Sequence, residues 1–146
     1  MPHQNGSLMS GRANAKGIGG WLLLYLVASV PLMFLYAVGL SGLFSDYPLV
    51  PMIAIFLIFL VPLALLASRS PGAPRWNIGM LWMTAGLMTL RSLAVLISPF
   101  LAEGPDLAAL PTISTIVPGV VAFSCGWAIV WTKYFRQSAR VRNTFG

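Results

Sequence analysis

The sequence predicts an all-α integral membrane protein: a four-helix bundle with both termini cytoplasmic and a short amphipathic helix at its C-terminal end. Three observations carry the prediction. Of 146 residues, 58% are hydrophobic and only 8% charged, where soluble domains carry about 25% charged residues. A chain this short buries only about 60–70% of its unfolded surface on folding, so that much apolar surface calls for lipid as solvent. The apolar residues gather into four continuous runs, each long enough to cross about 30 Å of hydrocarbon at 1.5 Å per residue. The charges, finally, are sorted by sign between alternate connecting segments.

Taken in order, residues 1–16 form a polar, aperiodic tail, "MPHQNGSLMSGRANAK", expected to be mobile. Residues 17–132 form the four-span domain and 133–146 a basic amphipathic tail. The first span covers about residues 18–44. It is too long, and lacks the small-residue exit, for a cleaved signal peptide. The second covers about 49–67, the third about 77–98 and the fourth about 112–131. Continuous apolar runs, instead of strict alternation, exclude a β-barrel. Pro31, Pro62 and Pro118 interrupt three spans and shape their helices.

Orientation follows from where the cations fall. Arg12 and Lys16 precede the first span, Arg69 and Arg75 lie between the second and third, and Lys133, Arg136, Arg140 and Arg142 follow the fourth. Asp46, Glu103 and Asp106 occupy the other two connections. Both termini are therefore expected in the cytoplasm. Trp21, Trp76, Trp127 and Trp131 mark the inner interface, and Phe44, Tyr47 and Phe100 the outer one.

The net charge of +6 does not indicate nucleic-acid binding, because the cations are confined to short flanks of apolar runs. Cys125 is alone, which leaves no disulfide and no paired-thiol chemistry. No carboxylate falls inside a span to carry protons or cations. His3, in the tail, is the sole histidine, so intramembrane haem ligation and a buried histidine base are both excluded. No cofactor, metal or catalytic residue is expected, and an enzyme acting on lipid finds no nucleophile or base.

One charge does enter a span. Arg91 lies in the outer half of the third run, where a centrally placed charge costs about 2.5–3.5 kcal/mol on the insertion scale. Counting by sevens, Asn77, Thr84, Arg91 and Ser98 share one stripe, which in a coiled helix pair stays on one face and points into the bundle or an oligomer interface. Gly79 and Gly86 lie on another side and suit a second close helix contact. Arg91 is placed to reach Glu103, Asp106, Asp46 or the carbonyl freed by Pro118. It serves as a tie between helices, as a site for an anionic or polar solute in an oligomeric transporter or channel, or as a cation that snorkels to the outer interface.

The ends carry the remaining signals. "KGIGGWLLLY" lacks phosphate-loop spacing and is a glycine-rich entry that lets backbone approach a neighbour. In "KYFRQSARVRNTF" a helical wheel places Tyr134, Ser138, Val141 and Phe145 on one side and Lys133, Arg136 and Arg140 on the other. With Phe135 and Arg142, this forms a contact for anionic headgroups or for a partner. Gly19, Gly20, Trp21 and Leu22, together with Tyr134, Phe135, Ser138, Arg140, Val141, Thr144 and Phe145, resemble the domain of unknown function 2569 family, small bacterial membrane proteins with about four spans. The resemblance implies a location in a bacterial inner (plasma) membrane and no assigned activity. The expected function is that of a non-enzymatic accessory, assembly or regulatory subunit of a larger membrane complex, bound to lipid headgroups and to another membrane protein or to itself.

Overall fold

The computed structural model describes residues 17–42, 49–101, 108 and 110–146. Its helices are α1 (Trp21–Ser41), α2 (Leu49–Ala67), α3 (Ala73–Leu101), α4 (Leu110–Gln137) and α5 (Ala139–Phe145). The first four are long and apolar enough to cross a membrane, so the chain is a multi-pass membrane protein. The polar tail 1–16 and the acids Asp46, Glu103 and Asp106 lie outside the described residues, as do Phe44 and Tyr47.

α1 lies within its expected bounds, and α3 and α4 exceed theirs for local reasons. α2 covers the expected residues. α3 starts at Ala73, four residues early, with Pro74 in its first turn, a place where the missing N–H costs nothing. It continues past Ser98 through Pro99. Proline at 99 removes the donor for the carbonyl of Val95, and the Ser98 hydroxyl donates to that carbonyl at 2.9 Å instead. α4 runs on to Gln137 and absorbs the first part of the basic tail. The single helix expected over the tail is therefore two. Ser138 is in an extended conformation and accepts from the Val141 N–H at 3.4 Å, capping α5.

α3 is the centre of the bundle. It packs against α1, α2 and α4, and α1 packs on α2. The buried residues of α1 recur at three and four (Leu22, Tyr25, Ser29, Met33, Tyr36, Leu40) along its whole length. Those of α2 and α4 do not. Phe59, Pro62, Leu63 and Leu66 fall in the second half of α2, and Ser124, Ala128, Trp131 and Phe135 in the second half of α4. Both halves lead to the end of the bundle where Gly17 and Gly146 lie. The core is therefore concentrated there, and α2 and α4 expose apolar side chains over the rest, including Val50, Ile53, Leu57 and Ile116.

That same end collects the described cations other than Arg91. The N–H of Gly17 donates to the Thr144 hydroxyl at 3.0 Å, which ties the entry of α1 to α5. The side chains of Arg69 and Arg140 reach Gly17 and Gly19. We call it the basic end. α2 closes there in a Schellman turn: Arg69 N–H to Leu66 carbonyl at 3.2 Å and Ser70 N–H to Leu65 carbonyl at 3.0 Å. The left-handed position belongs to Arg69, with φ 58°, where glycine is usual.

Candidate functional site

The expected polar stripe on α3 divides along its length. Asn77 and Thr84 are buried, at 1% exposure each. Arg91 is half-buried, and Ser98 is exposed with its hydroxyl turned back on its own helix. The buried face instead runs Asn77, Leu81, Thr84, Ala85, Met88, Ser92 and Pro99. Seven residues of a straight helix fall about 20° short of two full turns. Three heptads carry Ser98 about 60° off the Asn77 line, and Ser92 and Pro99 take the inward places. The strict seven-residue count assumed a supercoil that this helix does not follow.

Asn77 is the best-connected polar side chain in the core. It accepts from the Tyr25 hydroxyl at 3.0 Å and donates to the carbonyls of Pro62 at 2.7 Å and Ala73 at 2.9 Å. One carboxamide thus joins α1, α2 and α3 where no water competes. Arg91 lies at the other end of the bundle. Its guanidinium sits 3.3 Å from where a Cβ would stand on Gly42, so it reaches the last turn of α1. The acids expected as its partners lie outside the described residues. Gly79 and Gly86, expected to face a second helix, are exposed, and a Cβ on either would meet nothing within 4 Å among the described residues.

The aromatic residues of α4 form a ladder at i, i+4. Phe123, Trp127 and Trp131 succeed one another at centroid distances of 6.0 and 5.5 Å. Trp131 and Phe135 then close on Tyr25 of α1 at 4.8 and 5.0 Å. Trp131 is 4% exposed, so it is a core residue and not an interfacial anchor; Trp21 and Trp76, both about two-thirds exposed, remain free to meet headgroups. Tyr134 packs edge-on against Trp131 at 5.5 Å.

A groove follows the seam of α1 and α4, beginning alongside Trp127 and Trp131 of this ring cluster and continuing past it, in two lobes of about 510 and 460 Å³ that share Phe123. The lobe nearer the basic end lies between Trp21, Leu24 and Ala28 and the α4 residues Gly126, Trp127 and Val130. The other lies between Leu32, Leu35 and Tyr36 and the α4 residues Ile116, Gly119 and Val120. Along α1 the groove spans about 20 Å at 1.5 Å per residue. Gly119 and Gly126 line it, and a Cβ on either would meet nothing within 4 Å. Sequence reasoning missed this groove; the seven-residue spacing of the two glycines was its one local sign.

The basic tail is split by the same packing. Phe135, Val141 and Phe145 are buried at 3–7% exposure, whereas Lys133, Arg136 and Arg142 are exposed and Arg140 is half-buried. The glycine-rich entry makes the close approach expected of it. A Cβ on Gly19 would stand 2.8 Å from the Arg140 guanidinium, and Gly20 turns with φ 56°, a left-handed conformation suited to glycine. The two stretches singled out at the chain's ends are therefore in contact with each other.

A family model described as a protein of unknown function (DUF2569) matches residues 43–146. The match takes in α2 to α5 and the closing motif, and starts after the glycine-rich entry of α1. No curated protein and no solved structure matches the chain.

Proposed function

The chain belongs to the DUF2569 family, whose description assigns no activity, and on that premise we propose that it is a non-enzymatic accessory subunit of a larger membrane complex. In this reading it sits in a bacterial inner membrane with both termini cytoplasmic. The seam between α1 and α4 receives one transmembrane helix of the partner protein.

One observation supports this above others: the bare glycines Gly119 and Gly126 along an apolar groove open to lipid. Helices in lipid gain nothing from hydrophobic burial against one another. They associate through close van der Waals packing over small residues. Two glycines at seven-residue spacing, with no described residue of their own chain over them, offer that kind of surface. The alternative, an oligomeric path for an anion past Arg91, draws less support, because Arg91 lies against the last turn of α1 at Gly42, the place of a tie between helix ends.

A photoreactive residue placed at 119, at 126 or, as control, at the exposed position 79 tests the proposal in native membranes. The same second protein should be captured from both groove positions and not from 79. Gly126→Leu should abolish the complex on native gels, and Gly79→Leu should leave it. Capture of lipid alone, or of a second copy of this chain alone, would overturn the reading.

A further inference from the structure

At the basic end a second cleft, of about 450 Å³, lies between the start of α3, the end of α4 and α5. Arg75, Arg136 and Arg142 line it, and Ile78, Val141 and Phe145 supply apolar wall. All three arginines are exposed. The chain's three acids all lie in the two connections that follow α1 and α3, so the connections at this end of the spans contribute no carboxylate. We infer that this cleft is a discrete site for one anionic glycerophospholipid. The phosphate is held among the guanidinium groups of Arg75, Arg136 and Arg142, and the start of an acyl chain lies over Ile78.

Chemistry and position select this ligand. Guanidinium forks match phosphate oxygens, and a concave set of three concentrates positive potential beyond what a flat basic surface provides. Arg75 and Ile78 are one turn apart on a helix that enters the membrane, and Arg136 is in the last turn of one that leaves it. The cleft thus sits at headgroup depth with an apolar wall leading toward hydrocarbon. A free phosphate uses the first feature and has no use for the second. Basic pockets between spans hold anionic headgroups in this way. The inference stands apart from the partner helix, since the cleft and the α1–α4 groove share no residue among those named.

Purified full-length protein in phosphatidylcholine nanodiscs, titrated with phosphatidylglycerol and examined by native mass spectrometry, tests it. One phosphatidylglycerol should be retained in preference to phosphatidylcholine. Arg136→Gln should weaken retention about five-fold, and the Arg75→Gln, Arg136→Gln, Arg142→Gln triple variant about a hundred-fold, as expected for about 1 kcal/mol per cation at a membrane surface. Lys133→Gln, an exposed cation on the same helix outside the cleft, should change little. Equal weakening by Lys133→Gln would mean a diffuse field and overturn the site. Displacement of the lipid by equimolar inorganic phosphate would overturn the lipid assignment in favour of a free anion. These substitutions are exposed, so unchanged helicity by circular dichroism is expected, and binding can be compared among folded proteins.

Discussion

Asn77→Leu is the substitution that tests the core most directly. Leucine fills the space but takes away the acceptor of the Tyr25 hydroxyl and the donors to the carbonyls of Pro62 and Ala73. The Ala73 bond is within α3 and matters least. An interhelical hydrogen bond in lipid is worth about 0.6 kcal/mol on average, which the Asn77–Pro62 bond supplies. Stranding the Tyr25 hydroxyl in a site where the ring is 1% exposed costs about 1–3 kcal/mol more. The expected loss is about 1.5–3.5 kcal/mol, read as a shift in reversible unfolding in mixed micelles followed by far-ultraviolet circular dichroism. The mechanism makes a sharper demand on the double variant. Tyr25→Phe alone strands the Asn77 Oδ1 in turn and should cost about 1–3 kcal/mol. In the Asn77→Leu background it removes the stranded hydroxyl and should restore about 1 kcal/mol. An Asn77→Leu protein within 0.5 kcal/mol of the parent, or a Tyr25→Phe change that destabilises equally in both backgrounds, would refute the three-helix tie.

Two further predictions concern the basic end. Arg69→Gly should stabilise the protein by about 1 kcal/mol in the same unfolding assay, because a left-handed residue with a Cβ carries a penalty of that order; a loss of stability would show that the guanidinium beside Gly17 contributes more than the strain it incurs. Thr144→Val removes the acceptor of the Gly17 N–H and should speed amide exchange at Gly17 about five-fold, the equivalent of about 1 kcal/mol; unchanged exchange would mean that α5 does not hold the entry of α1.

The four spans, and the gathering of cations at one end, were legible because each depends on composition over a whole segment. The bounds of α2 agree because apolar residues begin and end it abruptly. The α3 stripe was legible for two turns and then drifted, since a count of sevens and a pitch of 3.6 diverge with distance. The break at Ser138 was hidden in a wheel drawn through it, although serine ahead of a short helix is an N-cap by chemistry. Trp131 was placed at the interface on composition, while its ring partner across the seam, Tyr25, is set by how α1 meets α4. The groove is of the same kind. Which pair of helices fails to close is a property of all four together, and no single stretch contains it.

The groove and the basic end follow from one physical circumstance. In water, an apolar seam between α1 and α4 would close to hide its surface. In lipid that force is absent, and a seam closes only where packing or hydrogen bonds hold it. Between α1 and α4 the ring contacts of Tyr25 with Trp131 and Phe135 lie at one end, and Gly17 meets Thr144 beyond them. The Asn77 tie stands at the same level, one turn into α3. Further along, α4 offers Gly126 and Gly119 to the groove, residues without a side chain to bridge the gap. The sequence thus concentrates its ring contacts across the seam at the basic end; among the described residues the opposite half has none and sets only Tyr36 beside Ser124. A helix inserted along that seam would meet backbone at both glycines and would be held at a register set by the ring cluster. This is why substitutions at 119 and 126 are expected to act on assembly, and those at 25, 77 and 131 on folding.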